Sequence, residues 1–216
     1  MLSKAKIKLI QSLELKKKRR EERLFVAEGP KVVGDLLPYF TCRLIVASNS
    51  WLEQHPHIKA DEVIEATTDE LRKASFLKAP QDVLALFELP DYPTPDNISD
   101  KELCLALDDI QDPGNLGTII RVADWFGIRH IFCSIGTTDA YSPKTVQASM
   151  GAVARVQMHY VDLPQYLSAV RSNHPQTPIY GTFLEGSNIY NEPLSTSGII
   201  VMGNEGNGIS PEVREL

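Results

Sequence analysis

A short polar turn between an apolar run and a helix-like pattern carries residue types suited to chemistry. The letters "DPGNLG", residues 112–117, follow a strand-like run, and a lone Arg121 stands four residues beyond them. Glycines let a second backbone approach closely, and the side chain of Asn115 is suited to capping the helix that follows. A capping asparagine and a surface arginine explain the pattern without any site, so this turn alone leaves both interpretations open.

A second polar turn, "GNEGNG" at residues 203–208, follows the apolar run 199–202. It contains neither the lysine of a nucleoside triphosphate loop nor the G-x-G-x-x-G spacing of a dinucleotide site. The acidic Glu205 also argues against a polyphosphate ligand, because like charges repel. If the turn is more than an ordinary glycine-rich connection, it suits a ligand with a cationic centre or a nucleoside.

Strand-like and helix-like patterns alternate around these turns. The second half of the chain predicts strands near 103–109, 129–135, 154–160, 178–184 and 198–203, with helices near 116–126, 143–151 and 163–172 and from Pro211. Such alternation predicts an α/β fold with a mostly parallel sheet and helices on both faces. Ligands of such sheets bind at the carboxyl ends of the strands, where both polar turns would lie.

A proline-rich stretch divides the chain into two predicted domains. Residues 91–101 read as a linker. Residues 1–90 predict a smaller α/β domain with a basic helix in front, and residues 102–216 predict the larger domain that holds both turns.

Charge is distributed unevenly along the chain. The net charge is −6, yet residues 1–30 hold nine Lys and Arg against four Glu, which is +5 and leaves −11 for the rest. One interpretation is a solvated helix face with Lys/Glu pairing, and the other is a phosphate-binding arm. The arm would consist of Lys16, Lys17, Lys18, Arg19 and Arg20.

The remaining composition is that of an ordinary globular protein, with 43% hydrophobic and 23% charged residues. The three cysteines are far apart within or beside apolar runs, which predicts buried free thiols. No histidine has metal-ligand spacing with cysteines or acids, so we predict no metal site. No apolar run approaches the roughly 18 residues that would span a bilayer, and a cytoplasmic location without a membrane partner is expected.

Taken together, the two turns resemble the first two motifs of the SpoU/TrmH family, carried here by "DPGNLGTIIRVADWFG" and "VMGNEGNGIS". The stretches "KKRREERLFVAEGPKVVGDLL" and "KAPQDVLALFEL" resemble the small substrate-binding domain that precedes the catalytic domain in many members. The resemblance implies an RNA ribose 2′-O-methyltransferase that uses S-adenosylmethionine, a trefoil-knotted catalytic domain and a homodimer. The additional domain favours ribosomal over transfer RNA.

The resemblance also assigns residues by position. Asn115 and Arg121 match the polar residues of the first motif, and Glu205 matches the second. The methyl donor is expected against Gly203, Asn204 and Gly208, with Thr182 as a weaker candidate.

Arg121 would meet the RNA phosphate beside the target ribose, since its fork of donors suits phosphate oxygens. The mechanism proposed for the family also makes this arginine the general base. Removing the proton of an arginine near pH 7 costs roughly 8 kcal/mol. We therefore expect Arg121 to position the substrate first and to act as a base only second.

One departure from the family concerns its third motif, an Ile-Pro segment followed by a Ser-Leu-Asn helix start. The sequence stops at Leu216, before that motif. We expect that a C-terminal tail carrying it is omitted here, although loss of the donor pocket is the alternative. Three other functions stay open: a transfer RNA methyltransferase, a non-catalytic RNA-binding factor, and a small-molecule α/β enzyme.

Overall fold

The computed structural model describes residues 1–95 and 100–216, which form two compact units. Unit 1 comprises Met1–Asp91 and Asp139–Ala154, and unit 2 comprises Tyr92–Thr138 and Arg155–Leu216. Residues 96–99 of the predicted linker lie outside the described residues. In the described part of the chain, every helix is too short or too polar to cross a membrane.

Unit 1 is built around a mixed four-stranded sheet with the order β1-β4-β2-β3. Strand β4 pairs antiparallel with both β1 and β2, and β2 pairs parallel with β3. Its elements are α1 (Lys4–Ser12), α2 (Lys16–Glu22), β1 (Leu24–Glu28), α3 (Pro30–Leu36), β2 (Cys42–Ala47), α4 (Asn49–Gln54), β3 (Glu62–Glu65), α5 (Thr68–Ala74), β4 (Val83–Glu88) and α7 (Pro143–Ser149).

Successive side chains of the unit 1 strands point to opposite faces of the sheet, and apolar side chains are buried on both faces. Val26, Leu44 and Leu86 join one core cluster with Ile10 of α1 and Leu71 of α5. On β1 the neighbouring residue, Phe25, is also fully buried, and its ring packs against Tyr141, with 5.1 Å between the ring centroids. The segment that carries α7 therefore belongs to the core of unit 1, although it lies more than fifty residues further along the chain.

Unit 2 is a five-stranded, all-parallel sheet with the order β7-β6-β5-β9-β8. This confirms the predicted α/β fold with a parallel sheet, whereas the trefoil knot stays a prediction. The elements are β5 (Leu103–Asp108), α6 (Pro113–Trp125), β6 (His130–Ser134), β7 (Gln157–Val161), α8 (Leu163–Asn173), β8 (Ile179–Gly181), β9 (Gly198–Gly203) and α9 (Pro211–Arg214).

One face of this sheet packs against α8 and α9. Leu163, Leu167 and Val170 of α8 and Val213 of α9 lie in a core cluster with residues of β5, β6 and β9. Helix α6 buries a different apolar stripe, made of Leu116, Ile120 and Ala123. Cys42, Cys104 and Cys133 are buried thiols in strands β2, β5 and β6 and form no disulfide bond, as the sequence predicted.

Two histidines stack inside unit 2. His159 is only 2% exposed, and its ring stacks on those of His130 and Phe132. His130 Nδ1 lies 3.1 Å from His159 Nε2, so in the neutral pair one nitrogen donates to the other. Burial, followed by the nearby charge of His130, lowers the pKa of His159 from 6.5 to about 4, and burial likewise lowers the pKa of His130.

The buried pair predicts acid-sensitive stability. The unfolded chain binds a proton on His159 near pH 6.5, whereas the folded chain binds it only near pH 4, so the unfolded state holds more protons between these values. The contribution is fully present above pH 6.5. It is lost as the pH falls towards 4, and is on the order of 3 kcal/mol.

Urea unfolding measured between pH 4 and 8 checks this expectation. His159→Phe should flatten the decline in the free energy of unfolding, whereas His57→Gln, at an exposed loop position, should leave it unchanged. An equally steep decline in the His159 variant would show that other groups cause the acid sensitivity.

Candidate functional site

The two polar turns start side by side at the carboxyl edge of the unit 2 sheet. Strands β5 and β9 are parallel neighbours, and their last residues, Asp108 and Gly203, are paired in register. From β5 the chain proceeds to β6 and β7 on one side, and it returns through β8 and β9 on the other. The turns therefore flank a topological switch point, which is where open parallel sheets bind their ligands.

The turn after β5 is held by local hydrogen bonds. Asp109 adopts a left-handed backbone conformation with φ +58°, and its N–H donates to Ser134 Oγ at 2.9 Å. Helix α6 then begins at Pro113, with Asp112 as its N-cap.

The predicted cap at Asn115 is wrong. The helix starts earlier than the sequence pattern indicated, and Asp112 Oδ1 accepts the backbone N–H of Asn115 at 2.9 Å. Since Asn115 already lies inside the first turn of α6, its side chain is available for another partner.

The turn after β9 closes on itself. The backbones of Asn204 and Gly208 exchange two hydrogen bonds of 2.9 Å each. A side chain on Gly203 would overlap the backbone of Gly208 and Ile209, so glycine is required there. Gly208 has φ +69°, a left-handed conformation that glycine adopts without strain.

Asn204 ties the two turns together. Its Oδ1 accepts the N–H groups of Gly206 at 2.8 Å and Asn207 at 3.0 Å, while its Nδ2 donates to the carbonyl of Asp109 at 2.8 Å. The amide oxygen thus stabilises the turn after β9, and the amide nitrogen links that turn to the turn after β5. We expected Asn204 at the donor, and the structure gives its side chain a loop-positioning role.

The second connection between the turns joins two predicted site residues. Asn115 Nδ2 donates to Glu205 Oε1 at 2.7 Å, across 90 positions of sequence, and both side chains are exposed. The structure therefore brings an asparagine of the first motif and a glutamate of the second into direct contact.

Arg121 lies further along α6 on its exposed side. Asn115, Thr118 and Arg121 follow one another at intervals of three residues and are all exposed. At 1.5 Å per residue, Arg121 stands about 9 Å along the helix axis from Asn115.

Thr182 lies at the end of β8, beside β9. Its backbone N–H and its hydroxyl both donate to the carbonyl of Val201, at 3.1 and 3.0 Å. These bonds anchor the residue to the neighbouring strand, at the same sheet edge as the two turns.

One acidic residue at this edge escaped the sequence analysis. Asp108 is 6% exposed, and its Oδ2 accepts the N–H of Ser210 at 2.8 Å, which fixes the entry into α9. The available signal was a carboxylate at the end of an otherwise apolar strand, directly before a second aspartate.

The predicted basic arm is helix α2 of unit 1, and its five residues are not equivalent. Lys17 and Lys18 pair with Glu21 on the surface, and Arg20 is exposed. Arg19 is 2% exposed: its Nη2 lies 2.5 Å from Asp139 Oδ2, and its Nη1 donates to the carbonyls of Leu13 and Glu14 at 2.7 Å. Arg19 is therefore a structural residue and is removed from the predicted phosphate-binding set.

Comparison with known proteins matches each of the two parts of the chain to a family model. Residues 102–216 match the model of the SpoU rRNA methylase family, and residues 4–85 match that of the MRM3-like substrate-binding domain. The 23S rRNA guanosine 2′-O-methyltransferase of Bacillus subtilis is 27% identical over 219 residues, which cover 97% of this chain and 83% of that protein.

Two solved structures are similar over the full length of this chain. A TrmH-family RNA methyltransferase of Porphyromonas gingivalis, described as putative, is 42% identical, with a TM-score of 0.88 over 86% of that chain. An rRNA methyltransferase of Sinorhizobium meliloti, solved with bound AdoMet, is 31% identical, with a TM-score of 0.84 over 84% of that chain.

Proposed function

Because this chain belongs to the SpoU rRNA methylase family, we propose that the turns after β5 and β9 transfer a methyl group to a ribose 2′-hydroxyl of ribosomal RNA. The enzyme is a 2′-O-methyltransferase that uses S-adenosylmethionine. The observation that carries the proposal is the hydrogen bond between Asn115 and Glu205, which joins the two motifs at the switch point.

The residues of the second turn fit a cationic methyl donor. Residues 203–210 contain no lysine or arginine, so no cation of this turn would repel a sulfonium. Gly203 and Gly208 expose bare backbone, which suits a donor held largely by main-chain groups. We propose that these two glycines hold the donor, that Asn204 shapes the turn around it, and that Thr182 contributes to donor binding from the end of β8.

Arg121 is proposed to hold the RNA phosphate next to the target ribose. It is an exposed cation on the helix that starts at the site, and its planar fork matches the geometry of phosphate oxygens. Fixing the backbone beside the ribose aligns the hydroxyl with the methyl group, and such alignment is a major source of rate enhancement.

A methyl-transfer assay tests the proposed function. The protein is incubated with tritiated donor and with ribosomal RNA from a strain lacking the gene, and modified riboses are mapped by their resistance to alkaline cleavage. A single new 2′-O-methyl group in ribosomal RNA is the expected result. Modification of transfer RNA alone would favour the alternative substrate, and RNA binding without transfer would favour a non-catalytic factor.

The four cations of α2 other than Arg19 are proposed as an RNA-binding arm. Changing Lys16, Lys17, Lys18 and Arg20 together to Gln should flatten the dependence of log affinity on log salt concentration. Each lost phosphate contact should change that slope by up to about 0.9 for a duplex, since each releases counterions.

Filter binding at several salt concentrations measures this slope. The matched control changes four exposed lysines elsewhere to Gln, namely Lys59, Lys73, Lys78 and Lys101. If both quadruple variants change the slope equally, net charge rather than the arm attracts the RNA.

A homodimer is proposed from an exposed apolar face on α6. Trp125 is 85% exposed and Phe126 is 73% exposed, next to the half-exposed Val122. Large apolar side chains clustered on a surface mark interaction sites, and the family resemblance makes a second copy the expected occupant. Sedimentation equilibrium of the purified chain distinguishes a dimer from a monomer.

A cytoplasmic location is proposed from the ribosomal RNA substrate.

A further inference from the structure

The proposed reaction releases a proton that some group must accept. When a ribose 2′-oxygen gains a methyl group, its O–H bond must break. Arginine keeps its proton in proteins, so Arg121 is suited to binding phosphate but poorly suited to accepting that proton. A carboxylate is the more suitable acceptor.

Residues 108–112 and 203–208, which follow the ends of β5 and β9, contain four carboxylates, and three of them serve the fold. Asp108 accepts a hydrogen bond from the backbone N–H of Ser210, and Asp109 accepts one from the side-chain amide of Gln111. Asp112 caps α6 by accepting the backbone N–H of Asn115. Each accepts a hydrogen bond from a residue within its own loop or from the start of the neighbouring helix.

Glu205 differs from these three carboxylates. It is exposed in the glycine turn, and its Oε1 accepts a hydrogen bond from the side chain of Asn115 in the opposite motif. Within residues 1–95 and 100–216, no hydrogen bond or ion pair engages its Oε2. This carboxylate is thus held in place on one oxygen while the other remains available.

We propose that Glu205 accepts the 2′-hydroxyl proton and that Asn115 is the positioning residue that holds its carboxylate towards the ribose. The proposal rests on the proposed function. The 2′-oxygen forms a bond to the methyl carbon, and the carbon–sulfur bond breaks with its electron pair going to sulfur. The proton passes to Glu205 and then to solvent.

The charges balance over this step. Before transfer the site holds a sulfonium cation and the carboxylate anion. After transfer it holds a neutral thioether and a neutral carboxylic acid, so no unpaired charge is left behind. Exposure of Glu205 then lets the proton leave without a relay of buried groups.

The variant Glu205→Gln tests the acceptor role. Glutamine keeps the size of the side chain and an oxygen that can accept from Asn115, but it cannot take up a proton. The expected loss in single-turnover rate is on the order of 10²- to 10⁴-fold, as for other positioned bases, with donor affinity by calorimetry unchanged within about threefold. Glu212→Gln removes the same charge from exposed α9 and should leave the rate unchanged.

Two further readouts separate proton acceptance from a structural role. The wild-type rate should fall on the acid side of its pH profile, and Glu205→Gln should lack that decline. Asn115→Ala should lower the single-turnover rate of the wild-type protein but cause no further loss in Glu205→Gln, because the amide acts through that carboxylate.

The outcomes distinguish this inference from the proposed function. If the wild-type protein methylates RNA and Glu205→Gln does so at a similar rate, or with the same pH profile, Glu205 is not the acceptor. A loss confined to donor affinity would likewise overturn the role. If the wild-type protein methylates no RNA, the proposed function fails, and this inference fails with it.

Discussion

Replacing Arg121 with alanine is expected to nearly abolish methyl transfer, with little change in melting temperature or donor affinity. Arg121 is exposed on α6, and within the described residues it forms no ion pair or hydrogen bond that the helix would lose. Alanine is an excellent helix former, so an exposed substitution of this kind changes stability by no more than about 0.5 kcal/mol. The loss should therefore fall on the positioning of RNA.

Arg121→Lys separates charge from geometry. Lysine retains the positive charge but lacks the planar fork, so it should recover only a small part of the activity. Arg72→Ala, an exposed helical arginine of unit 1, is the matched control and should transfer methyl groups normally. The assays are tritium transfer to undermethylated ribosomal RNA, donor titration and thermal melting.

Two results would remove Arg121 from its proposed role. Normal turnover of the alanine variant would place the phosphate contact elsewhere. A drop in melting temperature that parallels the loss of turnover would instead make Arg121 a structural residue.

Local patterns were sufficient to predict the architecture of unit 2. Apolar runs of strand length alternate with helical periods, and parallel strands follow from that alternation. The same patterns indicated that both polar turns come directly after strands, and in the structure they follow β5 and β9. The patterns did not indicate which strands are neighbours. Asn115 contacts Glu205 because β5 and β9 are adjacent in the sheet.

The error at Asn115 has a local cause. Both Asn115 and Asp112 are good N-caps, and the apolar stripe that begins at Leu116 favoured the later start. Pro113 decides between them, because proline is preferred at the first helical position, directly after the cap. Giving that rule more weight than the apolar stripe would have predicted Asp112 as the cap.

Arg19 shows where local reasoning cannot succeed. Within "KKKRR" nothing distinguishes the one side chain that turns inward from the four that remain at the surface. Its partner, Asp139, lies 120 positions away, in the segment of unit 1 that follows β6. Only the fold shows that the charge of Arg19 is neutralised by a carboxylate rather than by phosphate.

This burial gives the second large expected effect: Arg19→Met should destabilise the protein by about 3 kcal/mol. The substitution removes the ion pair with Asp139 and two hydrogen bonds to carbonyls, and it leaves a poorly exposed carboxylate without its partner. Arg20→Met, at the exposed neighbouring position, should cost no more than about 0.5 kcal/mol. Urea unfolding of the two variants measures the difference.

The double variant Arg19→Met, Asp139→Leu isolates the cause. Removing both charges eliminates the uncompensated carboxylate, and an apolar pair of similar volume often matches a buried ion pair in stability. The double variant should therefore be more stable than Arg19→Met alone, and its RNA affinity should keep the wild-type dependence on salt. If the double variant is as unstable as the single one, the carbonyl contacts of Arg19 contribute more than its charge does. If Arg19→Met flattens the salt dependence as the surface lysines are expected to, Arg19 reaches phosphate after all.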